Sequence, residues 1–221
     1  MERGFGVCRG AGGDSKAAAL DFSTMGDNIH IMTEHLPLNT SPLPVKLRID
    51  DYLLLEGAGA FQMYEKTELI DGEVYFMNAQ HRPHALAKIE LYDSLRDGLR
   101  AIGSGLRPMV EASVALSDHS APEPDLVLTS EPRGPDLIPV ASVALIVEVS
   151  DATLEKDRQK KMAIYARANI PEYWIADVND RTMHQMWAPE GEDYTRRQSV
   201  AFGQVVTAAS IDGMSVATTL L

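Results

Sequence analysis

Val143-Ala-Leu-Ile-Val-Glu148-Val-Ser150, with Pro124-Asp125-Leu-Val before it and Asp157-Arg-Gln-Lys160-Lys161 after it, is the stretch on which the fold turns. From Val143 to Val149 only Glu148 is polar, the pattern of a central strand covered on both faces. A helix follows, predicted over Thr153 to Ala168. Thr153 can cap it, Leu154, Lys161, Ile164, Tyr165 and Ala168 give it a face, and Pro171 stops it. Asp125 opens a second short strand and is pinned by Pro122 and Pro124. A carboxylate inside an apolar strand is costly to desolvate, so Glu148 calls for a partner. Two converging carboxylates suit a hard divalent cation, and a lysine from the next helix can meet a water or a developing negative charge. This is the layout of a metal-dependent phosphodiesterase.

Outward from that stretch the chain alternates strands and helices. Arg48 to Leu55 reads as a short helix ending at Gly57. Lys66-Thr-Glu68-Leu-Ile70 and Glu73-Val-Tyr75-Phe-Met77 are extended runs joined by Asp71-Gly72, the strongest short-range hairpin signal. Ala85, Ile89, Tyr92, Leu95 and Leu99 recur three or four apart and predict a helix from Pro83 to about Ile102. Met109 to Leu116 reads as one strand, followed later by Glu172 to Ile175, Thr182 to Trp187 and Tyr194 to Phe202. The sum is an α/β (α+β) domain with a mixed sheet and helices packed on it. Residues 1–45, with Gly10-Ala-Gly-Gly13 and then Pro37, Pro42 and Pro44, read as a disordered or loosely attached arm ahead of a domain over 46–221.

Bulk properties narrow the function. A chain of 221 residues, 45% hydrophobic and 24% charged, suffices for one domain with a real core. No apolar run approaches the roughly 20 residues of a membrane span. The N-terminus does not read as a secretory signal, and a cytoplasmic protein is the simplest expectation. Cys8 is the only cysteine, which excludes an internal disulfide and thiolate cages. The net charge of −12 cuts against nucleic-acid binding unless basic residues gather on one face. Lys156, Arg158, Lys160 and Lys161 form one such cluster, which a solvated helix face would also explain.

Several motifs have bland alternatives. Pro124-Asp125 alone is a turn signal, and Lys161 four residues after Asp157 could form a surface pair. Glu73 is a third candidate acid or an outward-facing strand residue. His81 and His84 make a His-x-x-His without the further ligands a zinc site needs, so His84 reads as a polar residue at the rim of a site. No Walker lysine motif and no Gly-x-Ser-x-Gly elbow occurs. Tyr173 and Trp174 read as core.

Taken together, Thr67-Glu68-Leu-Ile-Asp71-Gly72-Glu73-Val, Pro124-Asp125-Leu-Val, Ile146-Val-Glu148-Val-Ser150 and Lys161-Met-Ala-Ile-Tyr165-Ala-Arg-Ala-Asn-Ile-Pro-Glu172-Tyr173-Trp174-Ile-Ala-Asp177 resemble the Uma-type family of restriction endonucleases, within the PD-(D/E)XK nuclease superfamily. The resemblance covers roughly residues 45 to 215. It implies a restriction-endonuclease-like fold, Mg2+ or Mn2+ as cofactor, DNA as substrate and a homodimer. Asp125 and Glu148 would be the metal-binding acids, with a backbone carbonyl near Val149. The superfamily lysine lies two residues past the second acid, where this chain has Ser150, and the resemblance moves that role to Lys161. Glu73 matches the acid of the first hairpin and His84 a recurrent helix histidine. Asn169 stands where the family has glycine, and both residues tolerate a left-handed helix end. A non-catalytic nuclease-like DNA-binding or protein-interaction module is the competing expectation.

Overall fold

The computed structural model describes residues 42–77, 80–150, 155–219 and 221, with the side chains of 155–158 outside the description. The expected arm therefore lies, up to Ser41, outside the described residues, as do the Thr153 cap and the side chains of Lys156, Asp157 and Arg158. The elements are α1 (Ile49–Gly57), β1 (Thr67–Ile70), β2 (Glu73–Phe76), α2 (Arg82–Ala101), β3 (Arg107–Val110), β4 (Val114–Ala115), β5 (Leu126–Thr129), β6 (Ile138–Pro139), β7 (Val143–Ser150), α3 (Glu155–Arg167), β8 (Glu172–Asp177), β9 (Thr182–Glu190), β10 (Asp193–Ala201), β11 (Val205–Thr207) and β12 (Ser215–Ala217).

Six strands form one mixed sheet in the order β10-β9-β8-β7-β5-β3. β7 pairs parallel with β8 across the α3 crossover and antiparallel with β5. The sheet separates two apolar layers. Leu126, Leu128, Leu145, Val147 and Trp174 pack with Leu91, Leu95 and Leu99 of α2 on one face. Val127, Ile146, Tyr173 and Ile175 pack with Ile164, Tyr165 and Ile170 of the α3 region on the other. The all-apolar reading of β7 follows from this, because alternate residues enter different cores. Tyr173 and Trp174 are core residues, as the sequence suggested.

Local chemistry explains the turns. β1 and β2 pair antiparallel through Asp71 and Gly72, both at positive φ (50° and 76°), the two-residue turn that matches strand twist. Asn169 takes φ 58°, and the Ile170 N–H returns to the Tyr165 carbonyl at 3.0 Å, closing α3 with a left-handed residue. At Gly98 a Cβ would lie 2.7 Å from the Ser215 carbonyl oxygen, so α2 meets β12 backbone against side-chain-free surface.

Three expectations change. The strand expected over Met109 to Leu116 is broken into β3 and β4 at Glu111, whose φ is 49°. The short β11–β12 hairpin and β6 were not foreseen. The buried face of α2 runs through His84, Ala87, Lys88, Leu91, Leu95, Gly98 and Leu99, whereas Ala85 and Ile89 face solvent. Apolar periodicity misplaced that face because two of its inward positions are polar and satisfied by the site. No helix among the described residues is long and apolar enough to cross a membrane.

Candidate functional site

The pairing of β5 with β7 sets Leu126 opposite Val147, which brings Asp125, one residue earlier, beside Glu148. The Asp125 N–H points at Glu148 Oε2 across 3.4 Å, and the Val149 N–H donates to Asp125 Oδ2 at 2.8 Å. α3 returns over the same end of the sheet. It sets Lys161 Nζ 3.1 Å from Glu148 Oε1 and 3.4 Å from Glu68 Oε2. Four residues on, and so on the same helix face, Tyr165 donates its hydroxyl to Glu148 Oε1 at 2.8 Å.

α2 closes the other side. His84 Nε2 lies 3.0 Å from Asp125 Oδ1 and Lys88 Nζ lies 2.7 Å from the same oxygen. Lys88 also reaches Glu111 Oε1 at 2.6 Å and Gln80 Oε1 at 2.7 Å. Glu111 pairs in turn with Lys66, which reaches Glu123 at 3.1 Å, and the Glu123 N–H donates to Glu68 Oε2 at 3.2 Å. The contacts thus form a ring from Asp125 through Lys88, Glu111, Lys66, Glu123, Glu68, Lys161 and Glu148 back to Asp125. Five carboxylates against three ammonium groups leave two formal negative charges in it.

The two central acids respond oppositely to these surroundings. Burial opposes ionisation of Asp125, but hydrogen bonds and charge from His84 and Lys88 outweigh it and hold the carboxyl well below the usual range. Burial pushes Glu148 up to about 7; Lys161 offsets part of this, while the neighbouring Asp125 and Glu68 carboxylates add to it. Burial disfavours the Lys161 ammonium, yet Glu148 and Glu68 more than compensate and hold it above the ordinary lysine range.

A pH prediction follows from Glu148. The folded carboxyl keeps its proton up to about 7 and an ordinary glutamate only to 4.5. Its contribution to stability is therefore full below 4.5 and is lost as pH rises through 7. In metal-chelated buffer the parent should lose on the order of 3 kcal/mol relative to Glu148→Gln between pH 4.5 and 8. Urea unfolding at several pH values measures this, and parallel curves for the two proteins would refute the assignment.

The structure brings Asp125, Glu148, Lys161 and His84 together. Glu73 does not join them. It is exposed, salt-bridged to Lys46 at 2.6 Å and bonded by Tyr75. Those two partners, Lys46 first, lower its carboxyl to about 2. The hairpin acid in the cluster is Glu68, which is buried and pairs in register with Tyr75. Ser150, half-buried at the end of β7, shares Glu148's strand face by alternation, and its carbonyl accepts the Val178 N–H at 2.9 Å. Val149 meets the site through its N–H, which donates to Asp125 Oδ2. His81 is the N-cap residue of α2 and is exposed. Lys160 turns to the Tyr75 ring, 3.8 Å from its centroid. Sequence reasoning missed Gln80, Lys88, Glu111, Glu123 and Tyr165. A lysine four residues after His84, on the same helix face, was the one local signal for Lys88.

The donor set has the chemistry of a hard-cation site: carboxylate oxygens of Asp125, Glu148 and Glu68, with no thiolate. Among the described residues no three His, Cys, Asp or Glu side chains are already disposed as a cage. Of the two central acids, Asp125 Oδ2 accepts from the Val149 N–H and Glu148 Oε2 faces the Asp125 N–H at 3.4 Å, whereas Asp125 Oδ1 and Glu148 Oε1 each meet several protein donors. Residues and group therefore fit in kind and charge.

Comparison with known proteins agrees with this architecture. A crystal structure described as a putative nuclease belonging to DUF820, from Anabaena variabilis ATCC 29413, aligns with a TM-score of 0.55 at 15% identity. The alignment covers 76% of this chain and 90% of that one, a likeness of fold. No curated protein sequence matches. The family model Uma2, described as putative restriction endonuclease, matches residues 49–219, from α1 through the hairpin, the paired acids and α3 to the last strand. The chain belongs to the Uma2 family of putative restriction endonucleases.

Proposed function

We propose that the chain is a divalent-cation-dependent endonuclease that hydrolyses DNA phosphodiester bonds, with Mg2+ or Mn2+ held by Asp125 and Glu148. The observation that carries this reading is the meeting of two carboxylates from paired strands with an ammonium 3.1 Å from one of them. A bound cation would lower the pKa of a coordinated water and neutralise phosphate charge. Lys161, partly open to solvent, would supply donors to phosphate oxygens as negative charge builds on them. Tyr165 orients Glu148 through its hydroxyl, and His84 and the Val149 N–H orient Asp125. Family membership supports DNA as the substrate class. Cutting both strands of a duplex calls for two such sites, which a symmetric homodimer would supply.

Incubation of the purified protein with supercoiled plasmid tests this. Nicked or linear product should form with Mg2+ or Mn2+, vanish with EDTA, and vanish in Asp125→Ala. Cleavage that survives both EDTA and the substitution would sink the reading. A second reading, a nuclease-like module that binds without cutting, is favoured by the net charge of −12 and by the protein donors already on Asp125. It predicts no Mn2+ heat in calorimetry.

A further inference from the structure

The deepest cation in the site is Lys88, not Lys161. It is 5% exposed, and its Nζ has one short oxygen partner for each of its three N–H donors: Asp125 Oδ1 at 2.7 Å, Glu111 Oε1 at 2.6 Å and Gln80 Oε1 at 2.7 Å. Its surroundings are built for it. α2 presents Lys88 one turn beyond His84. Glu111 reaches it from the break between β3 and β4, in a left-handed conformation that a side chain disfavours, with its N–H anchored on the Asp125 carbonyl at 3.2 Å. Lys66 holds the other Glu111 oxygen.

This arrangement divides the two oxygens of Asp125. Oδ1 accepts from Gln80 at 3.2 Å, meets His84 at 3.0 Å and pairs with Lys88 at 2.7 Å. A carboxylate oxygen offers about two lone-pair directions, so Oδ1 is full. Among described residues Oδ2 has the Val149 N–H alone. Glu148 is divided likewise, with Lys161 and Tyr165 on Oε1 and the Asp125 N–H alone, at 3.4 Å, on Oε2.

We propose that Lys88 is a built-in counter-cation, a positioning residue that, together with His84 and Gln80, closes Asp125 Oδ1 to a divalent ion, leaves Oδ2 and Glu148 to hold it, and weakens its binding by like charge. Glu111 moderates this by drawing Lys88 toward itself and offsetting its charge. The inference rests on the divalent-cation reading above, and it makes two neighbours in one salt bridge act with opposite sign. A merely structural role would make loss of either partner loosen the site.

Calorimetric titration of the full chain with Mn2+ at pH 8 tests it, folding of each variant being checked by circular dichroism. Lys88→Gln should bind Mn2+ about ten- to a hundredfold more tightly than the parent, and Glu111→Gln about tenfold more weakly. Lys88→Met serves if the glutamine variant does not fold. Heat in the Lys88 variant where the parent gives none also supports the proposal. Unchanged or weaker binding in a folded Lys88 variant overturns it while leaving the divalent-cation reading intact. No heat in any protein overturns both.

Discussion

Glu148→Gln is expected to lower plasmid cleavage at pH 8 by about a thousandfold, some 4 kcal/mol of lost transition-state stabilisation. Glutamine has nearly the same shape, and its amide oxygen can still accept from Tyr165 and Lys161, so the fold and the helix position should survive. What is lost is the charge that would hold a divalent cation beside Asp125. The loss should fall on kcat more than on DNA binding, because Glu148 is largely covered and its partners are protein groups. Lys161→Ala should approach the same loss by a different route, removing the ammonium that would face the phosphate. Lys161→Arg should not restore the rate, since a planar fork replaces a point charge in a pocket shared by Glu148 and Glu68. Cleavage by Glu148→Gln within tenfold of the parent would remove Glu148 from the chemistry.

The largest stability effect is expected at the first residue of β8. Glu172 is fully buried, and its partners are neutral donors: the Trp174 indole at 2.6 Å, the Ala209 N–H at 2.9 Å, the Ser210 N–H and hydroxyl each at 2.8 Å, and Gln185 more distantly at 3.4 Å. The carboxylate thereby ties the segment between β11 and β12 to the central sheet. Glu172→Ala would leave the buried Trp174 and Gln185 donors, and the Ala209 and Ser210 donors of an exposed segment, without this acceptor, each worth about 1–3 kcal/mol where water cannot reach it. Relaxation of the loop recovers part of that, so a loss of about 4 kcal/mol in urea unfolding is expected. Glu172→Gln, which keeps one acceptor oxygen, should lose about half as much. Cleavage by folded Glu172→Gln at low temperature should match the parent, separating this clamp from the site. A loss under 1 kcal/mol in Glu172→Ala would show the clamp to be incidental.

The elements most legible in the chain were those whose signal is local. Asp71-Gly72 can hardly be anything but a tight hairpin turn, and an eight-residue run with Glu148 as its one acid can hardly be an edge strand. Asn169 before Ile170-Pro171 marks a helix end by backbone preference alone. The hairpin acid was less legible. Glu68 and Glu73 both lie in extended runs and, by the register, on the same face of the hairpin, so pairing alone leaves open which of the two strands is buried. That choice is made by Leu69, which bridges to Ala121 and draws β1 into the domain while β2 stays outside.

The inner face of α2 was hidden for a related reason. His84 and Lys88 occupy core-facing positions that an apolar count assigns to solvent, and their burial is tolerable only because Asp125, Glu111 and Gln80 supply acceptors from elsewhere in the chain. By itself, then, the sequence determined the longer strands and helices in their order, the hairpin turn and the acid isolated in the central strand, because backbone preference and apolar patterning act between near neighbours. Only the tertiary structure decided that Glu68 and not Glu73 enters the site, and that Lys88 and Glu111 close a ring of charge around Asp125. A buried charge is stable or not according to partners tens of residues away, and no local pattern records them.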